Sequence, residues 1–134
     1  MMPNKPYLSA DDVKKIGAAA EAEAKKNNWP VTIAIVDDGG HLLWLQRLDG
    51  AAPISSHIGP EKARAAAMGR RETKVYEDMI NQGRNAFLSA PLKGMLEGGV
   101  PILIDGQCVG AVGVSGVKSS EDAQIAKAGI AAIA

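Results

Sequence analysis

The sequence is short of four things, and each shortage excludes something. Cysteine occurs once, at Cys108. No intramolecular disulfide and no thiolate metal cluster can form, and a reducing compartment is expected. Aromatic residues are only 4% of the chain, so Ala, Val, Ile and Leu must fill the core. Net charge is missing, because 15 Lys and Arg balance 15 Asp and Glu. That balance argues against nucleic acid or an anionic membrane surface as partner, since both favour a basic patch. It also removes a barrier to self-association. Finally, no apolar run approaches the ~18 residues needed to span a bilayer. Met1-Met-Pro-Asn-Lys-Pro-Tyr7 lacks the apolar stretch of a signal peptide. The expected setting is the cytoplasm.

What is present is a chain of 134 residues with 46% hydrophobic content. A single domain over 1–134 is expected, burying roughly two-thirds of its unfolded surface. Two segments read as β-hairpins, Val31 to Arg47 and Val100 to Gly116. Each has an apolar run, an Asp-Gly turn and a second apolar run. In Val31–Val36 both alternating faces are apolar, which marks a strand covered on each side. In the return strand His41, Leu43, Leu45 and Arg47 share one face, and Leu42, Trp44 and Gln46 the other.

Four helices surround these hairpins. Ser9 with Asp12 forms a capping-box pattern, and Val13, Ile16, Ala20 and Ala24 recur at helical spacing over roughly residues 9–27. A second helix begins between Ser55 and Pro60, with Gly59-Pro60 as a helix start and a small-residue face at Ala63, Ala66, Ala67 and Gly69. Thr73 is the expected cap of a third helix that runs through Met79-Ile80 and stops at Gly83. Residues 84–99 have no clear period; Met95-Leu96 is a candidate short strand. Ser119 with Asp122 is the expected cap of the last helix, whose buried face is Ile125, Ala126, Gly129, Ile130 and Ile133. The order α-β-β-α-α-β-β-α predicts an α+β fold, a mostly antiparallel sheet of four or five strands flanked by helices.

No complete catalytic or metal motif is written in the chain. The glycines at 110, 113 and 116 do not match G-x-G-x-x-G, and Gly116-Val-Lys-Ser-Ser lacks the Gly-Lys of a phosphate loop. Glycines in a strand allow close approach of a backbone or a flat ligand. Ser115 to Ser120, with Lys118, could offer free N–H groups to an anion, or could simply cap the helix. His41 and His57 are the only histidines, each a candidate iron ligand or proton carrier. His57 stands among Ser55, Ser56 and Lys62. Ser55, Ser56, His57, Asp37 and Asp49 include the residue types of a hydrolase triad, but no G-x-S-x-G elbow accompanies them. Arg70-Arg71 can hold an anion or serve the end of a helix. Cys108 has no basic neighbour and reads as inert packing.

These residues carry a family resemblance. Pro30-Val-Thr-Ile-Ala-Ile-Val-Asp-Asp-Gly-Gly-His-Leu-Leu43, then Arg47-Leu-Asp-Gly-Ala51, then Ser55 and Lys62-Ala63, come first. Gly98-Gly-Val-Pro-Ile102, Asp105-Gly106 and Val109-Gly-Ala-Val-Gly-Val-Ser-Gly116 follow in the same order. The set resembles the GlcG/HbpS family, which is similar to the C-terminal domain of PduO-type cobalamin adenosyltransferases. Matching positions are Asp37, Gly40, Arg47, Asp49, Ser55, Lys62, Gly99, Pro101, Asp105, Gly110, Gly113, Ser115 and Gly116.

The resemblance implies a profilin-like sheet, self-assembly into dimers or larger symmetric oligomers, and a tetrapyrrole ligand, haem or cobalamin. It sets the chain beside glycolate or diol/glycerol metabolism, as a binding or accessory protein before a catalyst. The expected ligand residues are Arg47, Asp49, Ser55, His57, Lys62, Gly113 and Ser115, with His57 or His41 as the iron ligand. The first helix holds no histidine, so it supplies none. The expected pocket lies between the sheet and the second helix or at a subunit interface. Two alternatives remain. One is an enzyme on a small hydroxy acid or diol product, with Arg47 on the carboxylate and His57 moving a proton. The other is a structural or regulatory oligomer without a small ligand.

Overall fold

The computed structural model describes residues 1–134. Helix α1 spans Ala10–Lys26. Its start is fixed by the Ser9 side chain, which accepts from the Asp12 N–H at 3.1 Å, while the Asp12 carboxylate accepts from the Ser9 N–H at 3.0 Å. Asp11 and Asp12 sit in the first turn and Lys25 and Lys26 in the last, each matched to the helix dipole. Val13, Ile16, Ala20 and Ala24 form its buried stripe.

The first hairpin pairs β1 (Thr32–Asp37) with β2 (Leu42–Arg47). Its turn is longer than a bare Asp-Gly pair. The Asp37 carboxylate accepts from the N–H groups of Gly39 and His41 at 2.9 and 3.0 Å, and Gly40 takes φ +83°. The second hairpin pairs β3 (Gly99–Ile104) with β4 (Gln107–Ser115) through Asp105 and Gly106, both at positive φ. Those are the dihedrals a two-residue primed turn needs. β1 and β4 then pair antiparallel from Thr32–Ser115 to Asp37–Gly110. The result is one four-stranded antiparallel sheet of order β2-β1-β4-β3.

Helix α2 (Ser55–Gly69) and α3 (Thr73–Asn81) follow the first hairpin, with a 3-10 turn at Asn85–Ser89; α4 (Ser119–Ala131) follows the second. One face of the sheet carries Ile33, Ile35, Val100, Ile102, Val112 and Val114. They join Ile16 and Ala20 of α1 and Ile125 and Ala126 of α4 in the main core. The other face carries Ala34, Val36 and Ala111 against Ala63, Ala66 and Ala67 of α2.

Three local expectations are corrected. Pro60 stands inside α2, not at its start, because the helix already begins at Ser55. Thr73 is the first residue of α3, with Glu72 at the cap position. Its hydroxyl points inward, donating to the Leu96 carbonyl and accepting from the Gly99 N–H at 2.8 Å. Met95-Leu96 forms no strand. Gly94 in this segment, at φ +70°, lies against the α2 backbone at Glu61 and Lys62. The Leu96 carbonyl goes to Thr73 and not to a neighbouring strand.

Candidate functional site

Small residues close the space between the sheet and α2. A Cβ on Gly113 would collide with the Gly59 carbonyl and the Ala63 backbone. Its missing side chain admits a helix, not a ligand. Ser115 is buried beside it on the same face of β4, paired in register with Thr32. Ser55 is buried at the first turn of α2. Its hydroxyl donates to the Ala52 carbonyl at 2.6 Å and lies 2.7 Å from the Thr32 hydroxyl. The Ser55–Thr32 contact joins α2 to β1, and both hydroxyls point at protein.

Lys62 is also turned inward. It leaves α2 toward α4, only 3% exposed, and its Nζ donates to the Val114 carbonyl at 2.9 Å and to Asp122 Oδ2 at 3.1 Å. Asp122 is 2% exposed, and its other oxygen accepts from the Val117 N–H at 3.2 Å. Burial pushes the Asp122 carboxyl up to about 6, against the pull of Lys62 and the Val117 N–H. Asp122 is therefore not the capping partner of Ser119. Lys118 holds the cap position of α4, and its N–H goes to Glu121 Oε1 at 3.3 Å. The N–H groups of Val117 and Lys118 are thus both taken by carboxylates of the chain.

Arg47 and Asp49 lie elsewhere. They line an open cleft of about 640 Å³ between the C-terminal turn of α1 and the end of β2. Lys25, Asn28, Trp29 and Gln46 complete much of its wall. Glu21 takes Lys25 at 3.1 Å and Gln46 at 3.3 Å. Arg47 and Asp49 enter no ion pair within the chain. A free guanidinium beside an indole suits a carboxylate carried on a flat body.

The histidines stand apart from this cleft. His57 is exposed on α2, and His41 is exposed after the β1–β2 turn. Neither lines the cleft. No group of three or more His, Cys, Asp or Glu side chains is placed to hold a metal ion. Cys108 is half-buried, its thiol 3.4 Å from the Gly110 carbonyl. The seven expected ligand residues thus divide into three sets. Arg47 and Asp49 share an open cleft; Ser55, Lys62, Gly113 and Ser115 are internal; His57 stands alone on the surface. Trp29 and Asp122 were missed. Trp29 precedes Pro30 at a helix end, a place that reads as a connector, and Asp122 matched a capping pattern.

No helix is long and apolar enough to cross a membrane. Residues 8–131 match the family model described as haem degrading protein HbpS-like. Protein GlcG of Escherichia coli K12 is 60% identical over 114 residues, 85% of each chain. The crystal structure of HbpS is similar with TM-score 0.88 at 28% identity, covering 99% of this chain and 94% of that one. The PduOC:heme complex is similar with TM-score 0.86 at 29% identity over 96% of each chain. The sheet order, the paired hairpins and these likenesses agree: the chain belongs to the HbpS-like family, together with GlcG.

Proposed function

We propose that this chain is a tetrapyrrole-binding accessory protein, for haem or a corrinoid, working beside glycolate or diol/glycerol metabolism. The observation that carries the reading is the likeness, across nearly the whole chain, to a domain solved as a heme complex. The chain's own residues fit one end of such a group. Arg47 offers an unpaired guanidinium to a propionate, and Trp29 offers an aromatic wall in the same cleft. They do not fit the other end in the same place, since neither His41 nor His57 lines that cleft. Iron ligation at the Arg47 cleft therefore falls to an oxygen donor such as Asp49, or to a second copy of the chain in a homo-oligomer.

The test is a haemin titration followed by absorbance, with Arg47→Ala, Asp49→Ala, His41→Ala and His57→Ala variants beside the unaltered protein. The expected result is a saturable spectral change of one haemin per chain, weakened in Arg47→Ala and altered in one ligand variant. A change no greater than that of an unrelated protein, and the same in all four variants, overturns the reading. A second reading is favoured by the polar lining of the cleft. There Arg47 would bind the carboxylate of a small oxygenated metabolite. In that case glycolate or a similar hydroxy acid, and not haemin, protects the protein against thermal unfolding.

A further inference from the structure

Where the end of α2 meets α3, another concavity of about 400 Å³ is lined by Gly69, Arg71, Tyr76, Met79, Arg84 and Phe87. Its floor is a stacked pair of rings, Tyr76 and Phe87, with centroids 5.2 Å apart and planes 17° from parallel. Arg71 lies over the Tyr76 ring and Arg84 over the Phe87 ring, each 5.9 Å from the centroid. Stacking on a ring orients a guanidinium without neutralising it. The acids at the cap of α3 and within it form no ion pair with either arginine. Glu72 takes Lys127, Asp78 takes Lys74, and Glu77 accepts the Glu97 N–H. Arg70, next in sequence to Arg71, behaves differently; it donates to the Asp38 and Ala67 carbonyls and closes the end of α2.

Tyr76 is otherwise buried, at 4% exposure. Its hydroxyl sits where a side chain on residue 69 would be, so only glycine there admits it. The wall thus brings together two uncompensated cations, a phenol and two flat rings. The geometry points to a binding site for a flat ligand carrying a carboxylate or phosphate group, separate from the Arg47 cleft. The anionic group would be held by Arg71 and Arg84, which the stacked rings orient, and its body would lie against Met79 and the exposed part of Phe87.

The probes are phenyl phosphate and benzoate, titrated separately into the isotopically labelled protein while backbone amide shifts are followed. One or both should move the Gly69, Arg71, Tyr76 and Arg84 amides saturably. Arg71→Gln and Arg84→Gln should each weaken that binding about tenfold, the worth of one charge-assisted hydrogen bond. Arg47→Gln should leave it unchanged, and haemin binding should be indifferent to Arg71→Gln. The relative affinity of the two probes decides between phosphate and carboxylate. The proposal is overturned if neither probe shifts these amides saturably up to about 10 mM, or if both arginine variants bind as the unaltered protein does.

Discussion

The two faces of the sheet are held by different means. Toward α1 and α4, large branched side chains such as Ile33, Ile35, Ile102 and Ile125 fill the space by volume. Toward α2 the layers meet at close range, glycine to glycine and alanine to alanine, and polar bonds finish the contact from Ser55 to Thr32 and from Lys62 to the Val114 carbonyl, with Lys62 reaching on to Asp122 of α4. A face filled by volume is weakened when atoms are removed. A face set by proximity is weakened when atoms are added or when one buried polar partner is lost.

The sharpest break of that contrast is Asp122→Ala. It leaves the Lys62 ammonium buried with one carbonyl, at an expected cost of ~3–5 kcal/mol in denaturant unfolding. Replacing both partners, Lys62→Met with Asp122→Leu, should recover most of that loss. If the double variant is no better than the single one, the pair is more than a packing device. Next come neighbours on β4 that face opposite ways. Gly113→Ala adds one methyl against the α2 backbone and should cost about 3 kcal/mol. Val112→Ala removes two methyls from the main core and should cost about 2 kcal/mol. Equal and small losses at both positions, measured by chemical denaturation, would erase the distinction between the faces.

The buried pair also has a pH signature. The Asp122 carboxyl titrates near 6 in the folded chain against 3.8 for the free side chain. The folded state therefore holds the proton more tightly. Protonation of Asp122 favours folding fully below pH 4, and that contribution is lost as pH rises from about 4 to 6, by ~2–3 kcal/mol in all. Comparing unfolding of the unaltered protein with Asp122→Asn at pH 4, 5, 6 and 7 isolates it. The stability of the unaltered protein relative to the variant should fall across that window. A relative stability that rises with pH would mean that the ion pair outweighs burial. The smallest expected effect is Ile33→Val, ~1 kcal/mol, because the neighbouring side chains keep their shape around one missing methyl.

Much of this contrast was legible in the residues. Both hairpins were readable because turn chemistry is local: Asp105-Gly106 supplies the two positive-φ residues a tight turn needs. Ser9 and Asp12 announced α1 for the same reason. The small face of α2 was visible in Ala63, Ala66, Ala67 and Gly69, but its consequence was not. Close approach requires knowing that Gly59 meets Gly113, from another element. Lys62 and Asp122 lie 60 positions apart, and each fits a bland reading alone, one an exposed helix lysine and the other a capping acid. Arg47 and Asp49, two residues apart at a strand end, line one cleft. The resemblance groups Ser55, Lys62 and His57 with them, yet successive positions on a helix point in different directions.

The continuous β1–β4 ladder has a consequence for the route to the folded state. Each hairpin can close on its own, since its strands are separated by a short turn. The Thr32–Ser115 pairing joins segments separated by more than half the chain. That step closes a far longer loop than either hairpin does, so it should set the refolding rate. Until it is made, the apolar flanks of β1 and β4 remain open to other molecules, and the nascent chain is most prone to aggregate before the two hairpins meet.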